Sequence, residues 1–299
     1  SLKLSEKTAA AYLKILLDRG NFVSRTAVAS IPAFLAFSTL IEVPAMSEGE
    51  LKKFIELQAK QYVPLPLELV SLDWMKVGER RSEDGSEKNQ VIIVSIPNEV
   101  VELYKKIFRA VDLKLAALEI EGISAARSLG PDKKEAAIVI DIGSRSTSFS
   151  IVQNGFLKFS GQTDFAGASI THTIATGLNI SEKRAEDLKR ERGLLGFGGE
   201  HELSTLIEPI LDVIMSEARR IISAFQANYR TEVKSAILSG GGANLIGIEG
   251  YFNKKFGLPA SLAAPARSFV YPPQLESVVK DIGPPLAVAI GLSMKNMSA

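Results

Sequence analysis

Cysteine is missing from all 299 residues, so neither a disulfide framework nor a thiolate metal site can be part of the design. That absence fits a reducing cytoplasm. Histidine is nearly missing: His172 and His201 are too few and too far apart for a histidine-rich metal centre. His201-Glu202-Leu203 does not open a zinc-protease motif, because no second histidine follows at the helical spacing. Charge of one sign is not in excess either, since 35 basic residues face 34 acidic ones. A nucleic-acid protein working through a general basic field is excluded on that ground. The charge-free run Thr26 to Ile41 is short for a membrane span and contains Pro32, so it reads as a buried strand and a turn. The opening SLKLSEKTAAAYLKILLDRG reads as an amphipathic helix rather than a signal peptide.

The chain is 46% hydrophobic, enough to bury one large core or two ordinary ones, and two lobes are expected. Ser5 is placed to cap a first helix with Ala9, Leu13, Leu16 and Leu17 on one face and Gly20 as its stop. TAVASIP and STLIEVP read as strands. Ser47 and Glu50 form a capping box for a helix that Pro64 and Pro66 end. LDWMKVG and VIIVSIP flank GERRSEDGSEKNQ, which suits a solvated hairpin loop. Asn98 is placed to cap a helix carrying Val100, Leu103, Tyr104, Ile107 and Val111. LKLAALEIE returns to strand character, GISAARSL is a short helix, and the polar GPDKKE at 130–135 marks a lobe boundary. A strand pair, a helix from about Ser169 and the charged helix SEKRAEDLKRERG follow. GFGG at 196–199 reads as a linker before a long helix with Ile207, Leu211, Ile214 and Phe225 on its buried side. Strand SAILS, a triple glycine and PPLAVAIGLSM complete an alternation that defines an α/β protein.

Two stretches can approach an anion. In VIDIGSRSTSFSIVQNG, residues 139–155, a strand delivers Asp141, followed by Gly143, Ser144, Arg145, Ser146 and Thr147. Backbone amides and hydroxyls of such a turn can converge on phosphate, while the acid can hold a Mg²⁺-bound water. A polar hairpin tip explains the same residues. In LSGGGANL, residues 238–245, Gly240, Gly241 and Gly242 follow a strand, where backbone can approach a ligand with no Cβ in the way. It is neither a P-loop nor GxGxxG, and a plain strand-to-helix turn stays open. Glu186 and Lys189 lie three apart on one helix face, the spacing of a solvated ion pair. Gly283, Ala287, Ala289 and Gly291 allow close helix packing.

Taken in chain order, these signals resemble the actin-like ATPase superfamily. The resemblance implies an actin-like (ribonuclease H-like) two-lobed fold closing over ATP and Mg²⁺. The stretch from Asp141 to Thr147 is similar to the second phosphate motif, continued by Gly167-Ala168-Ser169-Ile170-Thr171. Glu186 and Lys189 match the pair that contacts ribose and adenine, and Gly240, Gly241, Gly242 and Asn244 match the adenosine motif. Glu121 matches an acid that can position water, which with Asp141 makes the catalytic pair, Asp141 also reaching magnesium through water. Residues 26–111, with QYVPLP followed by Asp73 and Trp74, look like the extra α/β subdomain of the PilM family of type IV pilus assembly proteins, related to the division protein FtsA. The resemblance covers nearly the whole chain. The family opens with another strand-Asp-Gly hairpin, and that N-terminal strand pair is missing ahead of Ser5. ATP hydrolysis by these residues is therefore expected to be weak or absent.

The expected division is residues 1–25 and 112–135 as first-lobe core, 26–111 as the inserted subdomain, 136–282 as the second lobe, and 283–299 as a returning helix. The resemblance implies a cytoplasmic protein at the inner membrane that binds the cytoplasmic tail peptide of a PilN-like membrane protein, in pilus assembly or type II secretion. Self-association is possible within the family; nucleic acid and a membrane span are not expected. A pseudo-ATPase scaffold and an FtsA-like division protein are the alternatives, and a sugar or acetate kinase is a third.

Overall fold

In a computed structural model that describes residues 5–81, 85–130, 135–195 and 201–297, the Ser5 hydroxyl accepts from the Thr8 amide and starts α1 (Glu6–Gly20). The left-handed stop is Asn21, at φ 48°, one residue beyond the expected glycine. β1 (Thr26–Ile31), β2 (Phe37–Pro44) and α2 (Glu48–Gln58) follow, α2 beginning with the expected Ser47–Glu50 capping box. β3 (Val70–Arg81) and β4 (Glu87–Pro97) are longer than expected. Most of the charged segment read as loop is paired strand, with Arg80 opposite Lys88 and Glu79 opposite Asn89. Cross-strand partners make this possible: Glu42 accepts from Arg80 at 3.2 Å and from Gln90 at 3.1 Å. α3 (Asn98–Arg109) has no side-chain cap. Asn98 instead donates to the Glu68 carbonyl at 3.0 Å and accepts from Ser71 at 2.9 Å, fastening the helix start to β3. β5 (Lys114–Ile120) pairs in parallel with β1, while β2, β4 and β3 form an antiparallel sheet covered by α2.

The chain separates into two compact units, one ending at Glu121 and the other beginning at Gly122. α4 (Glu121–Leu129) runs into the second unit, which holds β6 (Ala136–Ile142), β7 (Thr147–Gln153) and β8 (Phe156–Thr163). The β7–β8 turn places Asn154 at φ 54° and Gly155 at φ 75°, the left-handed pair a two-residue hairpin requires. α5 (Gly167–Leu178), α6 (Glu182–Arg192), α7 (His201–Tyr229), β9 (Val233–Ser239), α8 (Ile248–Lys255), β10 (Ala260–Leu262) and α9 (Glu276–Ser293) complete it. The strand order is β10-β9-β6-β7-β8, with β6 parallel to β9 and antiparallel to β7. Ile138, Ile140 and Ile142 of β6 and Phe149 and Ile151 of β7 are fully buried in one core with Ile207, Leu211, Ile214 and Phe225 of α7. The GFGG segment and residues 131–134 of the expected boundary lie outside the described residues. Among the described residues, no helix is long and apolar enough to cross a membrane.

Candidate functional site

β6 and β9 are parallel neighbours, so their carboxyl ends open on the same side of the sheet. β6 ends with Asp141 opposite Ser239 of β9 and Ser148 of β7. The tip that follows is closed by the Gly143 amide donating to the Ser146 carbonyl at 3.0 Å. Its outer carbonyls are used as well: Gly143 O accepts from the Gly167 amide at 3.0 Å and Ser144 O from the Ala168 amide at 2.7 Å. The hairpin therefore seats directly on the first turn of α5. Ser144 and Arg145 are exposed, Ser146 is half-buried, and Thr147 is buried with its hydroxyl donating to the Phe165 carbonyl at 2.7 Å. That hydroxyl is a structural fastener.

β9 ends in the glycine stretch. Gly240 has φ +80°, and a Cβ there would come within 2.5 Å of Asp141 Oδ1. A Cβ on Gly242 would run into Ile142. Both glycines are thus required for the loop to lie against the end of β6. Gly241 differs: a Cβ on it would meet nothing within 4 Å. It lines a cavity of about 720 Å³, along with Gly143, Ser144, Gly167, Gly242 and Asn244. Glu186 and Lys189 stand on the same cavity.

Those two make more than the expected solvated pair. Lys189 Nζ donates to Glu186 Oε2 at 2.6 Å, to Thr171 Oγ1 at 2.8 Å and to the Gly167 carbonyl at 3.1 Å, so each ammonium proton has a partner. Thr171 Oγ1 lies 2.6 Å from Glu186 Oε2 and 3.0 Å from the Gly167 carbonyl, donating to one at a time. Arg190 donates to Glu186 Oε1 at 2.8 Å. Burial works against the Glu186 charge, but the donors on Lys189, Thr171 and Arg190 outweigh it and hold the carboxyl at about 2. The knot ties α6 to the first turn of α5, beside the hairpin tip.

Thr171 and Arg190 as partners of Glu186 were not foreseen. Arg190 is one helical turn from Glu186, and that spacing was the available signal. The Thr171 contact depends on how α5 packs on α6, which no local pattern gives. Glu182, Ile170 and Leu245 also line the cavity. Glu121 belongs to the other unit, where its carboxylate accepts from the Ala33 amide at 3.3 Å. Among the described residues, no group of three or more acidic or histidine side chains could hold a metal ion by itself.

The strand order, the two loops at the carboxyl ends of β6 and β9, and the sheet-covering helices define an actin-like α/β protein. The chain belongs to the family described as type IV pilus assembly protein PilM, whose model matches residues 5–297. A solved PilM-PilN type IV pilus biogenesis complex superposes with a TM-score of 0.80 at 23% identity, covering 96% of this chain and 84% of that one. MreB 5 of Spiroplasma citri bound to AMPPNP gives 0.57 at 14% identity, over 98% and 76%. The cell division protein FtsA of Staphylococcus epidermidis is 26% identical over 182 residues, 53% of this chain and 39% of that protein. The chain thus spans less than half the length of that curated relative.

Proposed function

We propose that this chain is a nucleotide-binding adaptor of the type IV pilus assembly platform, or of the related type II secretion machine. ATP with magnesium is its ligand, and the cytoplasmic tail of a PilN-like membrane protein is its partner, which holds it at the inner membrane. The observation that carries the nucleotide reading is Gly241. Packing requires Gly240 and Gly242, whereas the open space beside Gly241 leaves the cavity wall without a Cβ where a ligand would lie. A loop of this kind presents backbone to adenosine, with Glu186 and Lys189 facing the ribose and base. Ser144 and the exposed hairpin tip face the phosphates. Lys189 already spends its protons on protein acceptors, so ribose contact requires exchange of one of them. Asp141 is the acid that would hold a magnesium-bound water, and magnesium would supply the positive charge between that carboxylate and phosphate. The family membership and the likeness to a PilM-PilN complex support the partner. The FtsA match favours a division role as a second reading, but it spans 53% of the chain where the PilM model spans residues 5–297. Nucleotide occupancy then biases the shape of the tail-binding surface.

Calorimetric titration with ATP, with and without magnesium, tests the ligand. Magnesium-dependent binding is expected, weakened about ten-fold or more, or ~1.4 kcal/mol, in Asp141→Ala. No binding, or binding untouched by that substitution, leaves only a scaffold. A synthetic peptide copying a PilN-type cytoplasmic tail should bind the same protein. Its failure to bind removes the adaptor role.

A further inference from the structure

Two consecutive prolines lie inside α9, Pro284 and Pro285. Pro285 has no N–H, so the carbonyl four residues before it, on Asp281, has no intrahelical donor. Asn244 supplies one: its Nδ2 donates to Asp281 O at 2.9 Å. The Pro284 carbonyl meets the same loop, accepting from the Gly240 amide at 3.0 Å, with Ser239 Oγ at 3.1 Å. Ser239 Oγ is also 3.4 Å from Asp141 Oδ2. Residues 239–244 therefore touch the cavity, the Asp141 carboxylate and the proline step of α9 at once. Asn244 was expected to hold nucleotide, yet its amide donor is directed to the helix.

We infer that Asn244 is a positioning residue of the nucleotide site. With Pro285 it forms a joint through which the glycine loop and α9 sense each other. The inference rests on the nucleotide reading above and adds a route by which occupancy of the cavity leaves it. Coupling of this kind is reciprocal: whatever holds α9 also changes affinity in the cavity. The joint needs both members. Removing the Asn244 amide deletes the donor, while Pro285→Ala introduces an N–H that competes for Asp281 O.

ATP affinity and amide hydrogen exchange of the whole chain test this in wild type, Asn244→Ala, Pro285→Ala and the double variant. Both side chains are exposed, which spares the core. Each single variant should bind ATP about three- to ten-fold more weakly, and the double variant no more weakly than the worse single one. Exchange at the Gly240, Ala243 and Leu245 amides should quicken in both single variants. ATP should slow exchange across 281–289 in wild type, and that slowing should vanish in Asn244→Ala at saturating ATP, an effect that simple loss of fold stability would not produce. Weaker binding in Asn244→Ala with unchanged binding in Pro285→Ala makes Asn244 a direct ligand and overturns the joint. Additive losses in the double variant overturn it too. If wild type takes no ATP, the nucleotide reading falls by itself. The loop amides without ligand then decide the joint: faster exchange in both variants sustains it, and unchanged exchange overturns it.

Discussion

The parallel pair β6–β9 in the second unit and the parallel pair β1–β5 in the first have the same hydrogen-bonding geometry and very different cover. Parallel strands are normally buried on both faces. In β6 that holds: Ile138, Ile140 and Ile142 on one face and Ala137 and Val139 on the other are all buried, and the pair sits inside a five-stranded sheet. In β1 the buried residues are Ala29 and Ile31, and β5 is its neighbour in a two-stranded sheet. The helix beside it, α1, has no buried residue, and Leu16 and Tyr12 are 62% and 57% exposed. Placement of the site follows from the difference. A loop that must hold a glycine against a carboxylate to a few tenths of an ångström needs a rigid strand end, and β6 and β9 supply two.

Core substitutions give the largest effect expected from this contrast. Ile140→Ala should cost ~2–5 kcal/mol, since it removes buried methyl groups and leaves a cavity between sheet and helices. Leu16→Ala on α1 should change stability by no more than about 0.5 kcal/mol. Chemical denaturation followed by far-ultraviolet dichroism measures both. A Leu16→Ala loss comparable to that of Ile140→Ala would break the comparison, because α1 would then be packed in solution as tightly as the second unit's core.

The three glycines sharpen the comparison within the second unit. Gly240→Ala puts a Cβ beside Asp141 Oδ1 at a positive φ, and Gly242→Ala puts one into Ile142. Each should cost ~1–3 kcal/mol. Gly241→Ala meets nothing and should leave the melting temperature where it was. Its effect belongs to the ligand: ATP affinity should fall although the fold is untouched. Equal melting losses at all three positions would mean that the loop is only a packed turn.

Legibility of the sequence followed the range of the forces involved. Caps read correctly at Ser5 and Ser47, because a cap is a contact between residues three apart. Asn98 looked like the same signal and was not, since Glu68 and Ser71 compete for its amide group and lie in another element. The charged ends of β3 and β4 read as loop because composition does not show that Glu42 stands across the sheet to receive Arg80. In the site, the glycines and the Glu186–Lys189 spacing were legible, and the order of motifs gave the fold class. Burial of Thr147 and the closure of Thr171 on Glu186 were not, because the first depends on where the segment before α5 passes β7 and the second on how α5 packs on α6, and local pattern places neither.

The smallest contrast expected is between two ion pairs of identical spacing, one from each unit. Glu186–Lys189 in α6 and Glu102–Lys105 in α3 are both three apart, at 2.6 and 2.7 Å. Glu186 keeps 31% of its side-chain surface and Glu102 keeps 52%, and only Glu186 also engages Thr171 and Arg190. Burial pushes the Glu186 carboxyl up, the donors outweigh it, and the result is a carboxyl at about 2 against an ordinary 4.5. A carboxyl lowered by folding stabilises the fold above its unfolded value, and that contribution fades as pH falls from about 4.5 through about 2. Wild type should therefore lose stability more steeply over that interval than Glu186→Gln, by on the order of 1 kcal/mol after allowance for solvent screening. Glu102→Gln, whose carboxyl is lowered chiefly by its hydrogen bond with Lys105 but stands in open solvent, should follow the wild-type acid limb. Urea midpoints between pH 5 and pH 2 test the pair. If both variants flatten the limb equally, the knot around Glu186 contributes no more than an exposed helix pair, and the two units do not differ in this respect.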